Sequence, residues 1–167
     1  MGKTDNKKRA KRLKEAKKER ETNELIAAGI GPAGIVLKER AKEKGVTVFH
    51  NTRKVKYSDV LKKFASNIFT LDDDFDSAKS KLYFASIVWN AVVLKPLDEI
   101  KFINTRKIII NLGNSVFETA EMFDELVEIK DDEYSEEDFI FVDIEVKQLS
   151  NGDLDLSVMI SQKEIEN

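Results

Sequence analysis

Apolar residues are scarce at the start of the chain and patterned after it. Leu13 is the only Leu, Ile, Val or Phe in residues 1–24. Residues 5–24 are rich in Ala, Lys, Arg and Glu with no Gly or Pro, so they favour a helix. With only Ala10, Leu13 and Ala16 on it, that helix is a frayed, solvated arm. Three glycines and Pro32 make residues 25–34 a glycine-rich joint. Residues 35–44 then read as a short helix closed at Gly45, and Val46 to Phe49 as a short strand. Ser58 is the expected N-cap of a helix whose buried face is Val60, Leu61, Phe64, Ala65 and Ile68. Leu71 to Asp74 form the turn and cap of a helix over 75–94. Its second half is apolar nearly all round, which predicts a central core helix with Trp89 inside and Asn90 as a polar neighbour.

Residues 97–112 fit either helix or strand, with a helix to about Asn111, ended by Gly113, as the preferred reading. Ser115 is expected to cap a last helix bearing Val116, Phe117, Ala120, Phe123, Leu126 and Val127. The rhythm then changes to period two. Phe139 to Leu149 alternates, with Phe141–Val142 hinting at a bulge or two-sided burial, and Leu154, Leu156, Val158 and Ile160 form a return strand. Asn151-Gly152 predicts a type I′ turn between them. The expectation is an α+β fold: four to five helices and a C-terminal antiparallel β-hairpin (139–161), joined by the short strand if that strand pairs. The organisation is a basic arm (1–24), a joint (25–34) and a single domain (35–167).

Charge sharpens this outline. Residues 1–63 hold 19 Lys/Arg against 8 Asp/Glu, residues 64–107 six of each, and residues 108–167 three Lys against 17 Asp/Glu. The chain's net charge of −3 thus hides a basic and an acidic part. Cysteine is absent, which excludes disulfides and thiolate chemistry and fits a reducing, cytoplasmic location. The N-terminus has no apolar run behind its basic residues, and the most apolar stretch, Leu82 to Leu94, is too short to span a bilayer. No membrane partner is expected.

Candidate chemistry is thin. Gly29-Ile30-Gly31-Pro32-Ala33-Gly34 matches G-x-G-x-x-G and is similar to the order in flavin-binding Rossmann proteins, but it lacks a central feeder strand. Phe49, His50 and Asn51 stand where a ribose-binding carboxylate belongs. Asp72, Asp74 and Asp76 have calcium-loop spacing, yet Ser77 and Tyr83 occupy the positions needing Gly and Glu, so helix capping accounts for them. His50, the only histidine, has no identifiable nucleophile or orienting partner. No catalytic residue, metal or cofactor is assigned, and an enzyme is the less favoured reading.

The arm is the strongest candidate. Lys7, Lys8, Arg9, Lys11, Arg12, Lys14, Lys17, Lys18 and Arg20, extended by Arg53, Lys54 and Lys56, suit contact with RNA or DNA phosphates or with a ribonucleoprotein, without aromatics for base stacking. The acidic turn Asp131, Asp132, Glu133, Glu136, Glu137 and Asp138 is a second candidate, for a basic protein partner. Self-association between the two charged parts is a third expectation. Lys7 to Arg12 also has the composition of a nuclear import signal.

Ser58-Asp59-Val60-Leu61 with Phe64-Ala65, Trp89-Asn90, and Phe139 to Val146 (FIFVDIEV) carry a resemblance. Over roughly residues 45–167 the chain resembles a group of small uncharacterised bacterial proteins. The resemblance implies a bacterial cytosolic origin and no particular substrate.

Overall fold

The computed structural model describes residues 11, 12, 14–20, 22, 23, 31–45, 56–70, 73–113 and 116–162, the side chains of residues 116, 117 and 162 excepted. The expected strand near Val46–Phe49, His50 and the Ser115 cap lie outside them. The architecture is α+β, helices followed by an antiparallel hairpin. Helix α1 comprises the described arm residues among 11–23. It is followed by α2 (Pro32–Glu43), α3 (Tyr57–Phe64) with a 3₁₀ turn (Ala65–Ile68), α4 (Phe75–Leu94), α5 (Glu99–Leu112) and α6 (Val116–Glu133). Strands β1 (Phe139–Gln148) and β2 (Leu154–Gln162) close the order.

Helix α4 is the centre. Asp74 caps it by accepting from the Ser77 amide at 2.8 Å. Its residues Leu82, Ala85, Val88 and Trp89 are fully buried, with Leu61 and Phe64 of α3 and Phe123 and Leu126 of α6. Trp89 touches the rings of Phe64, Tyr134, Phe139 and Phe141, with centroids between 4.9 and 5.5 Å. Such packing supplies most of the stability of a small core.

The same helix satisfies main-chain groups of β1. The Trp89 indole N–H donates to the Phe139 carbonyl, and the Asn90 amide both donates to the Phe141 carbonyl and accepts from its N–H, each at 2.8 Å. The Tyr83 hydroxyl donates to the Ile144 carbonyl at 3.2 Å. A two-stranded hairpin has two open edges, and α4 covers part of one of them.

The register slips between Phe141 and Asp143, leaving Val142 without a partner and exposed. This bulge changes the inward parity, so Phe139 and Phe141 before it and Ile144 and Val146 after it all reach the core. Leu156 and Val158 stand opposite Val146 and Ile144. Asp143, Glu145 and Lys147 therefore share the other face, which α2 covers.

Three local expectations differ from the structure, whereas the preferred helix reading of residues 97–112, ended by Gly113, agrees with it. Helix α2 opens at Pro32, earlier than residue 35, because proline at the first helical position loses no hydrogen bond. Helix α3 is capped at Lys56 and begins at Tyr57 instead of at Ser58. Residues 99–112 are helix, capped by Asp98 through the Lys101 amide at 2.8 Å. The hairpin turn is not type I′: among the described residues only Gly45 and Gly152 have positive φ. Asn151 instead accepts from the Asp153 amide through its side chain, and Gly152 alone turns left-handed (φ 89°). That is the three-residue loop with a glycine bulge.

Candidate nucleic-acid interface

The arm residues that the structure describes, Lys11, Arg12, Lys14, Lys17, Lys18 and Arg20, are all exposed and helical. Lys56 is exposed at the N-terminus of α3. Lys7, Lys8, Arg9, Arg53 and Lys54 lie outside the described residues. The arm joins the body through Lys18, whose ammonium lies 3.0 Å from Glu39 of α2. Both side chains are well exposed, so this pair is worth at most about 1 kcal/mol and weakens with salt.

Helix α2 is fastened to the hairpin by polar groups. Ala33, Leu37 and Ala41 are its only buried residues, and none belongs to the central core cluster. At its N-terminus the Asp155 carboxylate of β2 accepts from the Ala33 amide at 2.9 Å. Gly31 makes that approach possible, since a Cβ there would lie 2.5 Å from the Asp155 Oδ2. Two turns further on, Arg40 forks between two carboxylates of β1: Nη1 reaches Asp143 at 2.7 Å and Nη2 reaches Glu145 at 2.6 Å. Glu145 is buried and also lies 3.3 Å from the Lys147 ammonium. Burial, then the charges of Glu145 and Asp143, outweigh Arg40 and push the nearby Tyr83 phenol up. It stays a protonated donor to the strand.

This geometry bears directly on the glycine motif. The start of a helix attracts anions because its first amides are unpaired and its dipole is positive there. In α2 that seat is taken by Asp155 of the same chain. Asp73 and Asp74 before α4 are engaged locally too, while Asp72 lies outside the described residues. Asp73 accepts from the Lys81 ammonium at 2.8 Å, the Ser77 hydroxyl at 2.6 Å and the Thr70 amide at 2.7 Å. Among the described residues no cluster of three or more acidic or histidine side chains is placed to hold a metal ion.

The charges are sorted in space as well as in sequence. Helix α2 rests on the hairpin, whereas α6 packs on α3, α4 and α5. The described residues from 11 to 45 carry ten Lys/Arg against four Glu. Residues 116–138 carry eleven Asp/Glu against Lys130 alone. Asp131, Asp132, Glu133, Glu136, Glu137 and Asp138 are all exposed. Beneath them Lys130 is only 3% exposed. Its ammonium sits 4.6 Å from the Trp89 ring centroid and donates to the Tyr134 carbonyl and, at 3.0 Å, to the Glu137 carbonyl. Burial pushes its pKa down, against the charges of Asp131, Glu137 and Asp138.

Arg40, Asp155 and Lys130 are the contacts that sequence reading missed. Asp143 and Glu145 carry a faint signal, being carboxylates in the alternate positions of a strand. Nothing local marks Arg40 as their partner 103 and 105 residues away. Comparisons with protein-family models, curated proteins and solved structures return no match to this chain. Among the described residues no helix is long and apolar enough to cross a membrane.

Proposed function

We propose that this protein binds nucleic acid as an accessory factor, with α1 and the outward side of α2 lying against the phosphate backbone. The supporting observation is the exposed cationic helix α1 joined to α2, whose Lys42 and Lys44 are also exposed, away from the acidic helix α6. Lysine and arginine contacts of this kind release counterions and read little sequence. If the arm neutralises about five phosphates of a single strand, the log–log salt slope of binding is near −3.5. Reversing Lys11, Arg12 and Lys14 to Glu should weaken binding to RNA and duplex DNA and flatten that slope by about 2. Fluorescence anisotropy across a salt series measures both. Equal, salt-insensitive binding by the parent and reversed proteins would overturn the proposal.

A second reading is favoured by Lys130, which fixes the backbone of the acidic turn from below. The turn then offers Asp131, Asp132, Glu133, Glu136, Glu137 and Asp138 as a presented acidic surface for a basic protein. A pull-down with these six residues neutralised to amides tests it. Loss of a specific basic partner supports this reading, and an unchanged set of captured proteins rejects it.

A further inference from the structure

The core is complete without α2. No residue of α2 belongs to the central cluster or to the partly buried apolar residues packed against it. Leu37, between Ala33 and Ala41, is the largest side chain that α2 buries. Ile35 and Val36 are only partly covered. An element attached in this way opens as a unit at a lower free energy than the core, because little apolar surface is exposed when it leaves.

What α2 rests on has the chemistry of a row of phosphates. Cross-strand pairing sets Asp143, Glu145 and Lys147 of β1 on one face with Met159, Ser157 and Asp155 of β2. The three carboxylates of that face take up groups of α2 that suit phosphate equally well. Asp155 accepts from the Ala33 amide, and Asp143 and Glu145 share the Arg40 guanidinium. A guanidinium bridging two anionic oxygens is also how arginine holds a phosphate. Lys147, against Glu145, offsets only part of the negative charge, so Arg40 both neutralises the face and fastens α2 to it. Lys18 of α1 meets Glu39, the residue next to Arg40. A polyanion drawn to α1 therefore arrives at the level of this latch.

We infer that the hairpin face is an internal phosphate mimic that holds α1 and α2 closed, and that nucleic acid releases them by taking Arg40 from Asp143 and Glu145. The inference rests on the nucleic-acid reading above and adds its regulation. In the closed form two carboxylates occupy Arg40, and Asp155 lies under the same helix. In the released form Arg40 joins the exposed lysines of α1 as a phosphate ligand, and the strand carboxylates are left behind. A protein whose competent form is populated about a tenth of the time binds about tenfold more weakly than that form does. Breaking the latch removes this handicap.

The chain has no cysteine, so E43C on α2 and S150C in the hairpin turn, both exposed positions, accept a pair of spin labels at defined sites. The labelled full chain should give one short, narrow distance. Adding oligouridine should lengthen and broaden it, and D143N/E145Q should do the same with no RNA present. By fluorescence anisotropy D143N/E145Q should bind oligouridine about tenfold more tightly than the parent. E121Q/E128Q, an equal change of charge at exposed positions of α6, should gain much less. R40Q should open as D143N/E145Q does but without the gain in affinity, because the phosphate ligand is lost with the latch. Trp89 emission should be the same throughout, since the core keeps its packing. Oligouridine that binds without changing the distance overturns the inference and leaves the nucleic-acid reading standing. So does a D143N/E145Q chain that stays closed, or one whose affinity rises no more than that of the α6 control. Absence of binding by parent and variants alike would reject the nucleic-acid reading and the release with it.

Discussion

Asp73 has four donor contacts on one carboxylate and a side chain only 9% exposed. Partial burial raises its pKa, but the bonds from Lys81, Ser77 and the Thr70 amide, with the lysine's charge, hold it well below the ordinary carboxylate range. A carboxyl with a depressed folded-state pKa adds stability above its unfolded value of roughly 4, and loses it as pH falls further. Asp73→Asn should therefore cost about 1–3 kcal/mol at neutral pH, and progressively less below pH 4. Urea midpoints measured from neutral to acid pH test this, and a constant difference across the range would reject it. Two other side chains share one pocket with opposite consequences. Lys130 caps the end of α6 and covers Trp89, so Lys130→Ala removes donors, a ring contact and buried methylenes together. It should destabilise by about 2–4 kcal/mol and shift the Trp89 fluorescence. The Tyr134 hydroxyl is buried with no hydrogen-bond partner among the described residues. Tyr134→Phe should be neutral within about 0.5 kcal/mol or stabilising, because no bond is lost and a desolvated hydroxyl is removed.

At the scale of elements, α2 differs from the rest by resting on charge and caps rather than on the apolar core. The Asp155 contact with Ala33 and the bareness of Gly31 are one device, since a methyl at Gly31 would push the carboxylate off its amide. Asp155→Ala should cost about 1 kcal/mol, as loss of a helix cap does. Gly31→Ala should cost a similar amount, and the double variant less than the sum, because the second change finds the bond already broken. Thermal unfolding of the four proteins gives the coupling directly, and strict additivity would separate the two residues. How far such elements could be read from sequence follows from the range of the forces that form them. Helices α3, α4 and α6 and both strands were legible because apolar spacing and local caps such as Asp74 lie within a few residues of each other. The hairpin turn was mistaken in type because Asn-Gly permits either two left-handed residues or one. The choice fell to a side-chain bond from Asn151 to the Asp153 amide. The attachment of α2 was not legible at all. It depends on pairs more than a hundred residues apart, which periodicity does not encode. The arm was legible as a charged helix, while its tie to α2 through Glu39 was not.

For the whole molecule, folding turns a gradient of charge along the chain into a separation across layers. The hairpin and α4 lie between the cationic α1–α2 pair and the acidic α6, so the two sets of charge do not cancel by contact. Net charge is then a poor guide to behaviour. A protein with a net charge of −3 and a sequence pI near 5.4 is expected to ignore a cation exchanger at pH 7.5. Retention responds to local potential within about a Debye length of the surface, roughly 10 Å at 0.1 M salt, which is shorter than the span of a small domain. The protein should therefore bind both cation and anion exchangers at that pH, each through a different pole. K11E/R12E/K14E should abolish retention on the cation exchanger and strengthen it on the anion exchanger. Neutralising Asp131, Asp132, Glu136 and Glu137 should do the opposite, and none of these exposed changes should move the melting temperature by more than a few degrees. If the parent protein passes through the cation exchanger at low salt, the poles are neutralising one another. The arm would then lie against acidic surface in solution, and the nucleic-acid proposal would lose its physical basis.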